Sequence, residues 1–479
     1  MFFIATGLIE AIWGFRQLQG WAYSNHSLFR LTGSFFNPGP YSGYLAITLP
    51  VALGILLEQS KRNMPYYLSM GCIGTAIVVL PAGMSRSAWI AVVVSCAWVY
   101  ALYRLDRKQA ATRLRQHKRW YIIGGILGGI LLLGGSASLY TLKKDSADGR
   151  FLMWKITTKA IQKQPITGTS LGGFPAAYAE TQAEYMASGK ATEQEKLVAG
   201  CPEYAFNEYL QIGLEQGLVG LALFIGWLGL LFYKGIKNKR YACCGGLMSL
   251  AIFAFSSYPL QLPEFWVVLI FLGVMSVTPD KDEIRENQAE SNGHRWGKQI
   301  FFMGIAILGI GLFWMQKDHY KAYQQWNKAQ MFYNNKAYEA ALEVYEPLYP
   351  LLKHKPEFLF EAAQSLSKTG QYEKANEYLE RAVLLSSDPM LYYVMAKNEQ
   401  CLGEYRQAEK HLLHAIDILP ERIYPYYLLM NLYTEPSYFQ PAKLKMAIDS
   451  VLTKKPKVES SAIKEMKEKA RSMLNNTSI

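Results

Sequence analysis

Apolar runs recur through the first two thirds of the chain and stop near residue 316. They lie at about 1–15, 40–57, 66–83, 87–103, 120–142, 217–233, 241–257, 263–278 and 299–315, and each predicts a helix able to cross a hydrocarbon layer of roughly 30 Å. Between 143 and 216 the runs are interrupted by a polar stretch of about one small domain's length. Past residue 316 the residues are charged and Tyr-rich, and no long apolar run returns. The pattern predicts an all-α chain: a polytopic transmembrane helix bundle of about nine spans over 1–316 with a large loop at 143–216. A soluble α-solenoid follows over 317–455, then a Lys-rich helix or tail over 456–479.

The solenoid is visible as a repeat. Gly370-Gln371-Tyr372, Ala375 and Ala382 recur as Gly403-Glu404-Tyr405, Ala408 and Ala415, a shift of 33, and Tyr338 and Ala341 precede Tyr372 and Ala375 by 34. That period and its small/aromatic pattern are those of tetratricopeptide repeats, in which Ala lets paired helices approach closely. About three repeats are expected, with Pro356 and Pro389 at matching boundaries and a capping helix after Pro441.

Charge fixes the expected topology. The net charge of +12 is concentrated in short loops between apolar runs, so it reads as a membrane-orientation signal and not as a nucleic-acid surface. Arg104 to Arg119 holds seven Lys or Arg against one Asp, and Lys234 to Arg240 holds four with no acid. Both are expected to be cytoplasmic, which puts Thr32–Gly39, the Ser85-Arg86-Ser87 turn, the 143–216 loop, Ser257–Glu264 and the repeat array on the opposite face. The 51% apolar content and 18% charged content fit a partly lipid-embedded chain. The six cysteines are scattered or sit in apolar runs, so no metal or disulfide framework is expected, and no cofactor is implied.

Polar residues at the expected outer face are the candidates for chemistry. Arg86 and Arg150 are forked cations suited to gripping a phosphate or diphosphate. Trp154 shares a helical face with Arg150, which suits an amphipathic surface helix with Lys155, Lys159 and Lys163 toward anionic groups. Asn37 and Ser85 sit in outer turns. Glu264 lies in the Ser257–Glu264 hairpin beside Gln261, and Asn207 and Gln211 are expected on one helical face near Tyr204. These residues are candidates to line a cavity.

Together these segments resemble the O-antigen ligase family, membrane glycosyltransferases related to O-antigen polymerases and protein O-oligosaccharyltransferases. The matching pieces are Gly33-Ser34-Phe35-Phe36-Asn37-Pro38, Ser85-Arg86-Ser87-Ala88, Arg150 with Trp154, Pro165-Ile166-Thr167-Gly168 with Gly172-Gly173-Phe174, and Asn207-Glu208-Tyr209-Leu210-Gln211 through Gly220. The resemblance implies transfer of a glycan from a polyprenyl-diphosphate carrier to lipid A-core or a similar acceptor, at the outer face of a bacterial cytoplasmic membrane and without a nucleotide sugar. Arg86 and Arg150 would then bind the diphosphate and stabilise its developing charge. Expected partners are the lipid-linked glycan, the acceptor, membrane lipids and a protein recruited by the repeats. A non-catalytic membrane scaffold built around the repeats is the reading from another class.

Two departures accompany the resemblance. Many relatives carry a His just before the Asn that assists acceptor attack, whereas Tyr204 and Phe206 stand there in this chain. Glu203, Glu208 or another carboxylate substitutes, or His26 reaches over from the first outer loop, or the chain lacks that step. The family also has more spans before the loop than the five expected here, so the rest of the bundle is expected outside this chain.

Overall fold

The computed structural model describes residues 1–59, 61–106, 144–279, 295–456 and 458–476. Among the described residues all regular structure is helical. The chain divides into two compact units. The first comprises Met1–Ala147, Pro165–Gly168 and Tyr204–Glu290; the second comprises Asp148–Gln164, Thr169–Glu203 and Ser291–Ile479. The polar stretch is therefore shared between them.

The first unit is built around the Pro38–Glu58 helix. Its apolar window is 78% buried, against 33%, 22% and 17% for the other long apolar helices, so it is the one enclosed by its neighbours. Small residues make that enclosure possible. A Cβ on Gly54 would come within 2.5 Å of the Ala242 backbone, and one on Gly246 within 2.7 Å of Val51 and Leu272. The Tyr241–Ala254 helix thus lies directly against the central one. Pro50 sits inside the central helix and cannot donate to the carbonyl of Ala46, four residues back. Ser249 supplies the missing donor: its hydroxyl donates to Ala46 O at 2.7 Å in a buried setting. In a dry bundle a freed carbonyl needs such a partner.

The expectation of about nine spans is corrected by the helix lengths. Among the described residues four helices are long and apolar enough to cross a membrane: Pro38–Glu58, Met64–Gly83, Arg86–Asp106 and Gly217–Lys237. The run at 1–15 forms a 17-residue helix, Phe2–Leu18. The runs at 241–257 and 263–278 form helices of 14 and 15 residues, about 21 to 23 Å at 1.5 Å per residue. They fall short because Ser256 and Ser257 interrupt the apolar side chains and Pro259 and Pro263 open new helical turns there. The run at 120–142 lies outside the described residues, and the Arg295–Met315 helix belongs to the second unit. From Met303 to Met315 its large apolar side chains are exposed, the surface a lipid-facing helix presents.

The second unit is a series of helix pairs. Lys317–Asn334 packs on Tyr338–Leu352, Pro356–Lys368 on Tyr372–Val383, Met390–Leu402 on Tyr405–Ile418, and Ile423–Leu432 on Pro441–Thr453. The expected repeat residues occupy their expected places: Tyr338, Tyr372 and Tyr405 each open a second helix, and Ala341, Ala375 and Ala408 are fully buried. Gly370 and Gly403 take left-handed φ of 82° and 79° at the turns, a conformation that favours glycine. The segment after Pro441 completes a fourth pair, and the Ser461–Asn476 helix packs on it. The polar-stretch helix Phe174–Ala187 packs against Tyr405–Ile418. Gln182 joins them, its amide donating to Ile418 O at 2.9 Å and to Gly200 O at 3.0 Å.

Candidate functional site

The Asn207–Gln211 motif forms the start of a short helix, Glu208–Glu215. Asn207 is its N-cap and not part of its face: Oδ1 accepts from the backbone N–H of Tyr209 and Leu210, both at 3.1 Å. That is the ordinary work of Asn at a helix start. Phe206 precedes it with a left-handed φ of 49°. Gln211 is buried, accepts from Ala205 N–H at 3.0 Å and donates to Glu215 at 3.2 Å. Tyr204 stacks on Tyr258 at 5.4 Å, and Phe206 meets the same ring edge-on at 4.9 Å. Tyr258 thereby joins the site as a residue that sequence reasoning had not singled out.

Glu208 is the most constrained of these side chains. It is 1% exposed, its Oε1 accepts from Leu260 N–H at 2.6 Å, and its Oε2 accepts from the Gln261 amide at 2.9 Å. The carboxyl thus ties the short helix to the 256–264 hairpin. Burial pushes its pKa up to about 7, with the Glu215 charge adding to the rise and the Gln261 and Leu260 hydrogen bonds opposing it. A buried carboxyl held near neutrality is the electrostatic mark of functional positions.

The Pro165–Gly168 turn docks on the far end of this helix. Leu218 N–H donates to Pro165 O at 2.8 Å, and a Cβ on Gly168 would lie 2.5 Å from the Glu215 carbonyl and the Gly217 nitrogen. Gly168 and Gly217 both have φ of 70°, so the spaced glycines of the two motifs allow one close backbone crossing. A cleft of ≈ 400 Å³ is lined by Ser87, Ile90, Tyr209, Ile252, Phe255 and Ser256. It brings the Ser85-Arg86-Ser87 segment and the Asn207–Gln211 segment to one place. Tyr209 is fixed there by its hydroxyl, which donates to Ala251 O at 2.9 Å.

The other sequence candidates fall as follows. Arg86 heads the Arg86–Asp106 helix, half-buried, with the Ser85 and Ser87 hydroxyls 3.4 Å apart on either side. Asn37 caps the central helix, accepting from Gly39 N–H at 2.9 Å. Glu264 is exposed in the first turn of Pro263–Val277. His26 stays in the first loop, where its ring packs on Phe29 and Phe36 and its Nδ1 accepts from Leu28 N–H at 3.0 Å.

Arg150 and Glu203 belong to the second unit. Arg150 is half-buried in the Lys144–Lys163 helix, and Glu203 is exposed. The lysines expected to face lipid have protein partners instead: Lys155 meets Glu195 at 2.7 Å and the Tyr185 hydroxyl at 2.6 Å, and Lys163 meets Glu184 at 2.7 Å. Lys159 lies 5.5 Å from the Tyr185 ring centroid. Against the opposing effect of burial, hydrogen bonds from Lys155, from the Thr192 N–H and from Tyr185 hold the Glu195 carboxylate down at about 2. Among the described residues no group of His, Cys, Asp and Glu has the arrangement of a metal site.

Comparisons with known proteins match two separate stretches of the chain. Residues 71–225 match the family described as O-antigen ligase, and residues 334–415 match the family described as anaphase-promoting complex, cyclosome, subunit 3. Among curated proteins none matches the chain. Similar solved structures include MamA 41-end from Desulfovibrio magneticus RS-1, 16% identical with a TM-score of 0.24 over 33% of this chain and 78% of that one. The MamA RS-1 ArsTM double mutant is 20% identical with a TM-score of 0.27 over 33% and 97% of the two chains. Residues 71–225 are thus similar to the O-antigen ligase family, in a match that spans less than half of the chain, and the helix pairs that follow carry the 33-residue spacing read from the sequence.

Proposed function

We propose that the chain transfers a glycan from a polyprenyl-diphosphate carrier to lipid A-core or a similar acceptor, at the outer face of a bacterial cytoplasmic membrane. One observation carries the reading: the O-antigen ligase match at 71–225 encloses Arg86, Arg150 and the Asn207–Gly220 motif together. In this reading the acceptor hydroxyl attacks the anomeric carbon, the bond to the diphosphate oxygen breaks, and the diphosphate leaves with the bonding pair. Arg86 and Arg150 would stabilise that charge. The apolar walls of the Ser87–Tyr209 cleft suit the hydrocarbon part of the carrier.

The acceptor's proton needs a base. Of the carboxylates proposed for it, Glu203 is exposed, while both oxygens of Glu208 are already engaged, which favours Glu208 as a positioning residue beside the Asn207 cap. An O-antigen polymerase or a protein O-oligosaccharyltransferase would use the same donor chemistry. A scaffold role centred on the repeats is favoured by the absence of a His at 204–206 and by the structural hydrogen bonds of Asn207.

The test is transfer of polyprenyl-diphosphate-linked glycan to lipid A-core, to a growing glycan and to protein acceptors by the purified chain. Arg86→Ala and Arg150→Ala are each expected to lower turnover by at least about a hundredfold. Undiminished transfer in both variants overturns the diphosphate assignment, and no transfer to any acceptor favours the scaffold.

A further inference from the structure

The loop that joins the Phe2–Leu18 helix to the central helix carries a cleft of ≈ 650 Å³ that the transfer chemistry leaves unused. Its frame is fixed by one buried side chain. The Gln17 amide donates to Tyr23 O at 2.9 Å and to Gly33 O at 3.1 Å, and its Oε1 accepts from Thr32 N–H at 2.9 Å and Gly33 N–H at 2.7 Å. All the hydrogen-bonding capacity of that side chain is thus spent on the loop backbone. Asn25 adds a second tie, donating to Ser34 O at 3.1 Å and Phe35 O at 3.3 Å. A frame held in this way is preorganised for a ligand.

The side chains on its walls keep unused binding capacity. Tyr23 is 97% exposed, so its ring gains almost nothing from packing within its own protein. His26 rests on Phe29 at 4.7 Å, and its Nδ1 accepts from Leu28 N–H at 3.0 Å, which places its proton on Nε2 and leaves that group to donate. Gln19, Ser27 and Arg30 line the same cleft, and among the described residues their side chains meet no protein partner. No carboxylate lines it, so Arg30 is its fixed charge. A flat ring beside an amide, a hydroxyl, an imidazole N–H and a guanidinium suits a sugar: the apolar C–H face packs on the ring, while hydroxyls and an acidic group take the polar contacts. Aromatic anchors for lipid headgroups form a belt around the outside of a bundle. These residues instead share one concavity, of a volume within the roughly 300–1,000 Å³ of small-ligand sites.

We propose that this cleft is a saccharide subsite for a sugar that bears a carboxylate, with Tyr23 stacking on its apolar face and Arg30 pairing with the acid. The His26 Nε2–H donates to a sugar hydroxyl, and Gln19 and Ser27 exchange hydrogen bonds with others. Assigning that sugar to the acceptor glycan rests on the transfer reading; the binding itself does not. The subsite gives the chain a means of choosing among acceptors that is separate from the diphosphate contacts assigned to Arg86 and Arg150.

The experiment uses the full chain in phosphatidylcholine nanodiscs free of lipid-linked donor, with the Kd of trigalacturonate and of maltotriose read by ligand-observed NMR. Trigalacturonate is expected to bind at least about tenfold more tightly than maltotriose. Arg30→Gln should remove that preference, and Tyr23→Ala should weaken both sugars by about fivefold. Both side chains are exposed, so neither change should move the melting temperature. Binding of neither sugar, equal binding of both, a preference that survives Arg30→Gln, or affinities that Tyr23→Ala leaves intact overturns the proposal. Loss of the preference when phosphatidylglycerol replaces part of the phosphatidylcholine marks Arg30 as a headgroup contact and overturns it as well. With no donor present, these outcomes are read apart from transfer, which Arg86→Ala and Arg150→Ala test.

Discussion

The sharpest quantitative consequence of the structure concerns Glu208. Its carboxyl is 1% exposed, accepts two hydrogen bonds from the 256–264 hairpin, and has its pKa raised from 4.5 to about 7, chiefly by burial. The folded protein therefore holds this proton more tightly than the unfolded chain does. Below about 4.5 both states are protonated and the group costs nothing; between about 4.5 and 7 the cost grows; above 7 it is complete. At about 1.4 kcal/mol per pH unit, the difference between the two values corresponds to roughly 3 kcal/mol.

Glu208→Gln removes the titration while keeping an acceptor for Leu260 N–H. The variant should match wild type near pH 4.5 and become more stable than it by up to about 3 kcal/mol by pH 8. Reversible unfolding of both proteins in mixed micelles, followed across pH 4.5–8, measures this directly, since the other titrating groups are shared and, apart from Glu215, whose charge acts on Glu208, cancel in the difference. A difference that stays flat with pH, or one that moves in favour of wild type as pH rises, would refute the reasoning from burial.

Further expectations follow from single contacts. Ser249→Ala should cost about 1–2 kcal/mol in the presence of Pro50 and close to nothing in Pro50→Ala, because the restored backbone N–H then serves Ala46 O; a double-mutant cycle in micelles reads the coupling. Gly168→Ala and Gly217→Ala should each lower the melting temperature sharply or abolish folding. Gly172→Ala, also left-handed but facing open space, should cost only about 1 kcal/mol. Gln182→Leu leaves the carbonyls of Gly200 and Ile418 unserved, so hydrogen exchange at 197–203 should quicken by about tenfold or more; unchanged exchange would show that the segment is held by other contacts.

What was legible in the sequence was whatever periodicity reports. The 33-residue spacing found the helix pairs because Ala375, Ala408 and their equivalents must be small wherever two helices touch, and that requirement is written at a fixed interval. The apolar runs located helices but overcounted spans, because hydropathy averages over side chains, whereas helix ends are local: the 241–257 run extends three residues past Ala254, where the helix stops and Phe255 is followed by Ser256 and Ser257. Partners were the least legible. Nothing in the pattern ties Glu208 to Gln261, 53 residues on, or Lys155 to Glu195, 40 residues on. The spacing of Lys155, Lys159 and Lys163 is readable in the sequence, and only the fold shows the Glu195, Tyr185 and Glu184 partners that these side chains meet.

The position where the resemblance expects a histidine illustrates how geometry and chemistry part company. Phe206 takes a left-handed φ, a region where His, Asn and Asp are several-fold enriched and a bulky aromatic residue is an outlier. The turn that hands the chain to the Asn207 cap therefore suits a histidine, and phenylalanine occupies it at a conformational cost of about 1–2 kcal/mol. That cost is offset by the edge-on contact with Tyr258, which also stacks on Tyr204 and contributes about 0.5–1.5 kcal/mol per aromatic pair. The cap, the turn and the Glu208 tie keep their form without any titratable group at 206, so the form of this motif does not depend on an imidazole there. Its requirement is a residue able to turn left-handed and a ring for Tyr258 to hold, and any proton-accepting role is a separate property that this chain has to place elsewhere.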